Sequence, residues 1–305
     1  MLDVTLLGCG GTMPLPGRWL TSLYVRCGGH GILIDCGEGT QIALKEAGLS
    51  AHSIDLILLT HYHGDHVMGL PGILMSMGMS GRQEPVTVVG PKHLTEIVPK
   101  LCAVAGFPFE LRGLELTDPE CEFTADFDPS LKIQAFHAQH SIVTYGYSLV
   151  KERRPKFDKE RAEALGIPVR YWSRLQKGET ITDSGVTYTP DMVLGEERKG
   201  LRVTCCTDTR PTERIVKYCR NADLAVLEGM YGSDERIEAA KVKKHMVFSE
   251  AAQIAQKAGA KELWLTHFSP SETRPEEWIE NARSIFPESR CGTCGMHKEL
   301  RFDNE

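Results

Sequence analysis

The chain has no long apolar run. No window approaches the ~18 consecutive apolar residues that a membrane-spanning helix needs, so a membrane protein of that kind is not expected. Cysteine is sparse, ten in 305 residues, too few for a scaffold built on disulfides. An excess of basic charge is also missing. Thirty-five Lys and Arg stand against 41 Asp and Glu, a net charge of −6. That excludes a surface coated uniformly for nucleic acid, but not a local basic patch. Neither an internal repeat nor a low-complexity tract is present. The opening residues, Met1 to Leu7, are too short and too acidic for a signal peptide and read as a first strand. With no secretory route visible, the thiols are expected reduced and the protein cytoplasmic.

What is present is an ordinary globular balance, 41% hydrophobic and 25% charged, with ample material for a core. The length suits two domains of ~150 residues or one large α/β domain. Short β-rich runs at 4–8, 23–27, 31–35, 56–60, 86–89, 132–136, 146–150, 201–205, 224–227 and 263–266 alternate with helical patterns. The helical patterns fall at 40–47, 94–105, 213–219, 249–258 and 276–285. Two sheets sandwiched between helices are the expected architecture.

One stretch departs in composition. Between Lys151 and Lys177, nine basic residues face four acidic ones, a net +5 inside an acidic chain. Arg153, Arg154, Lys156, Arg170, Arg174 and Lys177 are the basic residues placed to meet a polyanion. Tyr171 and Trp172 lie in the same stretch, where they either stack on bases or pack inward. The plain reading is an amphipathic helix with a solvated face. Its length between two strands favours an inserted arm, 151–178.

The strongest signal is Thr60-His61-Tyr62-His63-Gly64-Asp65-His66, directly after an apolar run. His61 and His63 are two apart in extended chain, so their side chains leave on one side and suit a shared metal. Asp65 and His66 follow where the chain turns and can swing to a second ion. So many imidazole and carboxylate groups at the end of a buried strand are costly unless coordinated. These residues are too few for two metals. His140, Asp208 and His267 each lie just past another apolar run, where a sheet presents side chains to a site. Taken singly, each also reads as a cap or a satisfied core polar group; as a set they match the missing ligands. His137 lies near His140 and competes for its place on these grounds.

The His-x-His-x-Asp-His run, the upstream Asp35-Cys36-Gly37-Glu38-Gly39-Thr40-Gln41 and the later Thr207-Asp208-Thr209-Arg210-Pro211 and Leu265-Thr266-His267 resemble the metallo-β-lactamase superfamily. Within it, the chain is most similar to the ribonuclease Z family of tRNA 3′-processing endonucleases. The resemblance implies an α/β fold, an αββα sandwich of two mixed β-sheets flanked by helices. It implies one such domain over 1–305, with the basic arm inserted in it. It further implies that His61, His63 and His140 hold one zinc ion and Asp65, His66 and His267 a second, with Asp208 bridging the pair. His/Asp sets of this type also accept manganese or iron. Asp35 resembles the acid that orients a coordinating histidine. Glu228 and His245 match a pair that donates a proton, and Asp65 would accept the proton of the attacking water.

The implied activity is zinc-dependent removal of the 3′ trailer of precursor tRNA by hydroxide attack on a phosphodiester, in a homodimer. Other hydrolases of the superfamily act on small phosphodiesters, sulfate esters, lactones or thioesters, and the ligands alone do not separate these. A third reading is an RNA-binding protein with a relic metal site. The chain departs from the family pattern at several positions. The arm lacks the usual Gly-Pro pair, and Leu227, Gly229 and Met246 flank the Glu228/His245 pair in place of the customary residues.

Three further features read plainly. Gly8, Gly10 and Gly11 suit a tight turn, since they spell neither standard nucleotide fingerprint. Cys291, Cys294 and His297 fall short of the four ligands of a structural zinc site. Adjacent Cys205 and Cys206 read as small buried hydrophobes.

Overall fold

A computed structural model describes residues 1–302. The chain divides into two compact units: Met1–Lys151 with Leu201–Arg301, and Glu152–Gly200 with Phe302.

The larger unit holds two seven-stranded sheets. The strands in chain order are β1 (Leu2–Gly8), β2 (Ser22–Cys27), β3 (His30–Ile34), β4 (Ile54–Leu58), β5 (Val86–Pro91), β6 (Leu111–Leu116), β7 (Glu120–Ala125), β8 (Asp128–His137) and β9 (Tyr145–Arg153). They continue, beyond a small hairpin β10 (Ile181–Asp183) and β11 (Val186–Tyr188), with β12 (Arg198–Cys206), β13 (Leu224–Glu228), β14 (Leu263–Thr266), β15 (Ser289–Cys291) and β16 (Met296–Leu300). One sheet runs β16-β1-β2-β3-β4-β5-β6 and the other β15-β14-β13-β12-β9-β8-β7. Both are mixed: β1 to β3 pair antiparallel and β3 to β6 parallel, while β12 to β15 pair parallel and β7 to β9 antiparallel. β1, β13 and β14 are buried along their whole length, the pattern of strands covered on both faces. Helices α1 (Thr40–Glu46), α3 (Leu70–Met79) and α4 (Leu94–Leu101) pack on the first sheet through Leu44, Ile73, Leu74, Met77 and Val98. Helices α7 (Glu213–Cys219) and α9 (Phe248–Ala258), with the short α8 (Ile237–Lys243) between them in the chain, follow; α7 and α9 bury apolar faces beside the second. The architecture is the expected one, two mixed sheets flanked by helices.

The strands that the apolar pattern misses are edges and short pieces. β6 and β7 end their sheets and carry Arg112, Glu115, Glu120 and Glu122, charges that protect an edge and interrupt an apolar run.

The second unit has its own small core of Ala162, Ile167, Tyr171, Leu175, Ile181 and Val193. Helices α5 (Lys159–Ala164) and α6 (Val169–Gln176) supply Ala162, Tyr171 and Leu175, and Ile167 comes from the turn between them. Asp158 caps α5 by accepting from Arg161 N at 2.8 Å. The unit runs on to Gly200, past the basic stretch, because Ile181 and Val193 complete this core. Tyr171 is buried and Trp172 half-buried, its Nε1 donating to Ile167 O at 2.9 Å. Both aromatics therefore pack inward.

Candidate metal centre

The residues singled out in sequence leave the ends of neighbouring strands. Asp35 follows β3, the His61 to His66 run follows β4, His140 follows β8, Asp208 follows β12 and His267 follows β14, while Glu228 ends β13. The register pairs Glu228 with Thr266 and Cys206 with Leu227, which brings Asp208, Glu228 and His267 to one level. His63 is extended, with φ −68° and ψ 149°, and the short helix α2 (Gly64–Val67) then turns Asp65 and His66 back. The turns are tight. Asp35, Asp208 and His267 adopt left-handed backbone at φ 59°, 54° and 58°, as do Thr12 at 68° and Lys244 at 60°. Non-glycine residues held there cost of order 1–3 kcal/mol each. Such residues concentrate around this site.

Ligand atoms of His61, His63, His140 and Asp208 lie within 4.8 Å of one another, and so do those of Asp65, His66 and His267. Asp208 faces both groups. Its Oδ1 is 3.9 Å from His61 Nε2 and 3.5 Å from His140 Nε2, while Oδ2 is 3.0 Å from His66 Nε2 and 3.1 Å from His267 Nε2. Imidazole nitrogens also face each other, His61 Nε2 and His63 Nδ1 at 3.0 Å and His66 Nε2 and His267 Nε2 at 3.2 Å. Lone pairs converging this closely in a buried site repel unless positive charge lies among them.

The titration of these groups shows the same demand. Burial pushes His61 well below the usual imidazole range and His140 down to about 4. Burial acts on His66 in the same direction, but Asp208 and Asp35 outweigh it and hold it well above that range. His267 is raised against its burial by Asp208 and Asp65. Burial would raise Asp208, yet His267 and His66 hold it well below the carboxylate range. Asp65 is likewise kept low, by its hydrogen bond with His267 and by His66. Among the described residues, Asp208 Oδ2 is buried with no hydrogen bond of its own. A set of imidazole nitrogens and ionised carboxylate oxygens of this kind fits a divalent cation.

Supporting bonds fix these side chains. Asp35 accepts from Thr60 N at 2.8 Å and faces His66 Nδ1 at 2.7 Å, so it orients that ring and stays out of the cluster. Thr60 Oγ1 reaches Asp35 Oδ2 at 2.8 Å and His61 Nδ1 at 2.9 Å. Thr12 N donates to Asp65 Oδ2 at 2.6 Å. Gly11 leaves room for His267: a Cβ there would lie 2.7 Å from its ring. The glycine turn thus serves close packing. Thr12 and Thr60 carry roles that sequence reasoning did not give them, because a backbone N–H or a single hydroxyl leaves no spacing signature.

Glu228 is fully buried and its Oε2 lies 2.9 Å from His245 Nδ1. Burial raises the Glu228 carboxyl, with His245 opposing. His245 borders a cleft of about 590 Å³ whose wall includes Thr12, His63, Asp65, Lys243 and Lys244. The flanking departures from the family pattern are packing solutions. Leu227 and Met246 are fully buried, and a Cβ at Gly229 would lie 2.6 Å from the Phe248 ring. His137, the competitor of His140, lies outside these ligand groups and packs against Tyr145 at 4.6 Å.

The arm residues belong to the second unit. Arg153 ends β9 with its guanidinium over the Phe302 ring at 5.0 Å. Arg154 and Lys156 are exposed in the segment before α5, and Lys177 is exposed at the end of α6. Arg170 pairs with Asp183 at 2.9 Å and Arg174 with Glu179 at 2.7 Å. Cys291, Cys294 and His297 do not converge: Cys294 faces Cys9 at 3.7 Å and His297 pairs with Asp3. Cys205 and Cys206 are buried free thiols.

The family model described as the Beta-lactamase superfamily domain matches residues 30–268. The chain is 50% identical over 304 residues to Ribonuclease Z of Lachnoclostridium phytofermentans, covering 99% of each. It is 48% identical over 310 residues to Ribonuclease Z of Clostridium acetobutylicum, covering all of both. Among solved structures, human tRNase Z, short form, superposes with a TM-score of 0.70 at 24% identity, over 98% of this chain and 100% of that one. The metallo-β-lactamase fold protein YhfI of Bacillus subtilis superposes at 0.68 with 20% identity, over 97% and 98%. At these identities the two structures speak for the fold. With half of its residues shared from end to end with such a relative, the chain belongs to the ribonuclease Z family of the β-lactamase superfamily.

Proposed function

We propose that this chain is a metal-dependent endoribonuclease that removes the 3′ trailer of precursor tRNA. The observation that carries the reading is Asp208. Its two oxygens face separate ligand groups in a chain that aligns end to end with relatives named Ribonuclease Z. In this reading two zinc ions bind per chain, one by His61, His63 and His140 and one by Asp65, His66 and His267, with Asp208 shared. When bound, such ions supply Lewis acidity and positive charge at the scissile phosphate.

The chain's own groups move the protons. Asp65, steadied by Thr12 N, accepts the proton of the attacking water. Glu228 holds Nδ1 of His245, which leaves Nε2 as the nitrogen that gives a proton to the departing sugar oxygen. Proton donation of this kind is worth ~10²–10⁴ in rate. Arg153, Arg154, Lys156, Arg170, Arg174 and Lys177 serve as the phosphate-gripping arm. The protein works as a homodimer; Ile42 on α1 and Met75 and Met79 on one face of α3 are exposed apolar residues suited to a subunit contact. Ten free cysteines suit the reducing cytoplasm.

Metal analysis of the purified protein, followed by mapping of the ends left on a precursor tRNA with a 3′ trailer, tests the reading. About two zinc per chain and a cut at the mature 3′ end are expected. Bound metal with hydrolysis of small esters and an intact precursor would overturn it in favour of another hydrolase of the superfamily.

A further inference from the structure

Three consecutive residues reach three different parts of the site. The Asp208 carboxylate lies at its centre. Thr209 N donates to Glu228 Oε1 at 2.5 Å, and Thr209 Oγ1 accepts from Gln139 N at 3.0 Å. Arg210 N donates to Gln139 O at 3.1 Å, so Gln139, next to His140, is bonded on both its N–H and its C=O. The Arg210 guanidinium crosses to the other side. It donates to the carbonyl of His245 and grips both oxygens of Glu250, with Nη1 to Oε2 at 2.9 Å.

Glu250 is itself fixed. Its Oε2 accepts from Val247 N at 3.1 Å, which closes the first turn of α9. The loop from His245 to α9 is therefore held at its carbonyl by Arg210 and at its far end by Glu250. Both side chains are only 14% exposed, so this forked pair works largely out of water, where its geometry is most exacting.

An imidazole bonded through Nδ1 is aimed only as firmly as its own backbone is held. His245 N donates to Ala240 O at 2.8 Å, and the Arg210 bond to the His245 carbonyl holds the other side of the residue. We infer that Arg210, braced by Glu250, is a positioning residue that sets the direction in which His245 delivers its proton. The inference rests on the reading of His245 as the proton donor. In the step concerned, the bond from phosphorus to the water oxygen forms and the water's proton passes to Asp65. The bond from phosphorus to the sugar oxygen breaks, and that oxygen takes the His245 proton.

The leaving group separates positioning from simple structural damage. A sugar alkoxide leaves poorly without a proton, whereas p-nitrophenolate leaves well without one. Arg210→Met is expected to slow single-turnover cleavage of precursor tRNA by ~10–100-fold, the scale of a misplaced catalytic group. The KM and the metal content should hold, and bis(p-nitrophenyl) phosphate should be hydrolysed with a far smaller loss. The double variant Arg210→Met/His245→Ala should cleave RNA no more slowly than His245→Ala alone, since the two act as one unit. Arg210→Lys, which keeps the charge and loses the fork, should fall between. Glu250→Gln carries the same comparison should the methionine variant fold poorly.

Equal slowing of both substrates, loss of metal, or multiplicative effects in the double variant would overturn the inference. If His245→Ala itself fails to distinguish the two substrates, the proton-donor reading falls. If His245→Ala distinguishes them and Arg210→Met does not, only the role of Arg210 falls.

Discussion

In the metal centre, His61, His66 and His267 are at most 1% exposed and their nitrogens face carboxylates and one another. In Glu152–Gly200, Arg170 and Arg174 stand 68% and 53% exposed and pair with carboxylates of their own unit. Burial makes each polar group of the centre indispensable to its neighbours, because losing one partner leaves another stranded out of water. Exposed pairs exchange partners with water and salt at little cost. The whole stretch also carries ten basic and nine acidic residues, because Glu179, Asp183, Asp191, Glu196 and Glu197 follow the basic part. A grip on phosphate there must come from a few placed cations such as Arg154, Lys156 and Lys177; the net charge of the stretch contributes little.

This contrast can be broken or sharpened by substitution. Asp208→Ala should have the largest effect, releasing most bound metal and abolishing nearly all hydrolysis; a variant that keeps its full metal complement by elemental analysis sinks the shared-ligand assignment. His245→Ala should retain the metal yet slow single-turnover cleavage of precursor tRNA by ~10²–10⁴, and an unchanged rate would remove it from the chemistry. Asp35→Asn should weaken metal affinity by ~10–100-fold through misorientation of His66, read by competition with a chelator; unaltered affinity would mean that the Asp35 bond is dispensable. The combined reversal Arg154→Glu, Lys156→Glu and Lys177→Glu should raise the Kd for precursor tRNA by about tenfold and flatten its salt dependence. Hydrolysis of bis(p-nitrophenyl) phosphate should persist in that variant. Undiminished RNA binding would show that the second unit does not grip the substrate.

Much of the central fold is legible in the sequence because its strands are apolar throughout, as in Leu224-Ala225-Val226-Leu227 and Leu263-Trp264-Leu265. The edges are not, since Leu111–Leu116 and Met296–Leu300 mix charge into their pairing. The converging histidines and aspartates are legible for a related reason: their residue types are too costly at strand ends to stand there without a task. Thr12, Thr60, Arg210 and Glu250 escape notice because each acts through hydrogen bonds, most of them between segments distant in sequence, that leave no pattern along the chain. Tyr171 and Trp172 could be assigned only once Ala162, Leu175 and Val193 were seen to need a partner.

The cluster draws His61 to His140 from before the second unit, and Asp208 and His267 from after it. During synthesis His61, His63, His66 and His140 emerge long before Asp208, the carboxylate that must face them. A chain cut short before β14 holds an incomplete donor set. Capture of a cation by the full set thus waits on the last of its donors, and by then Glu152–Gly200 has already been synthesised.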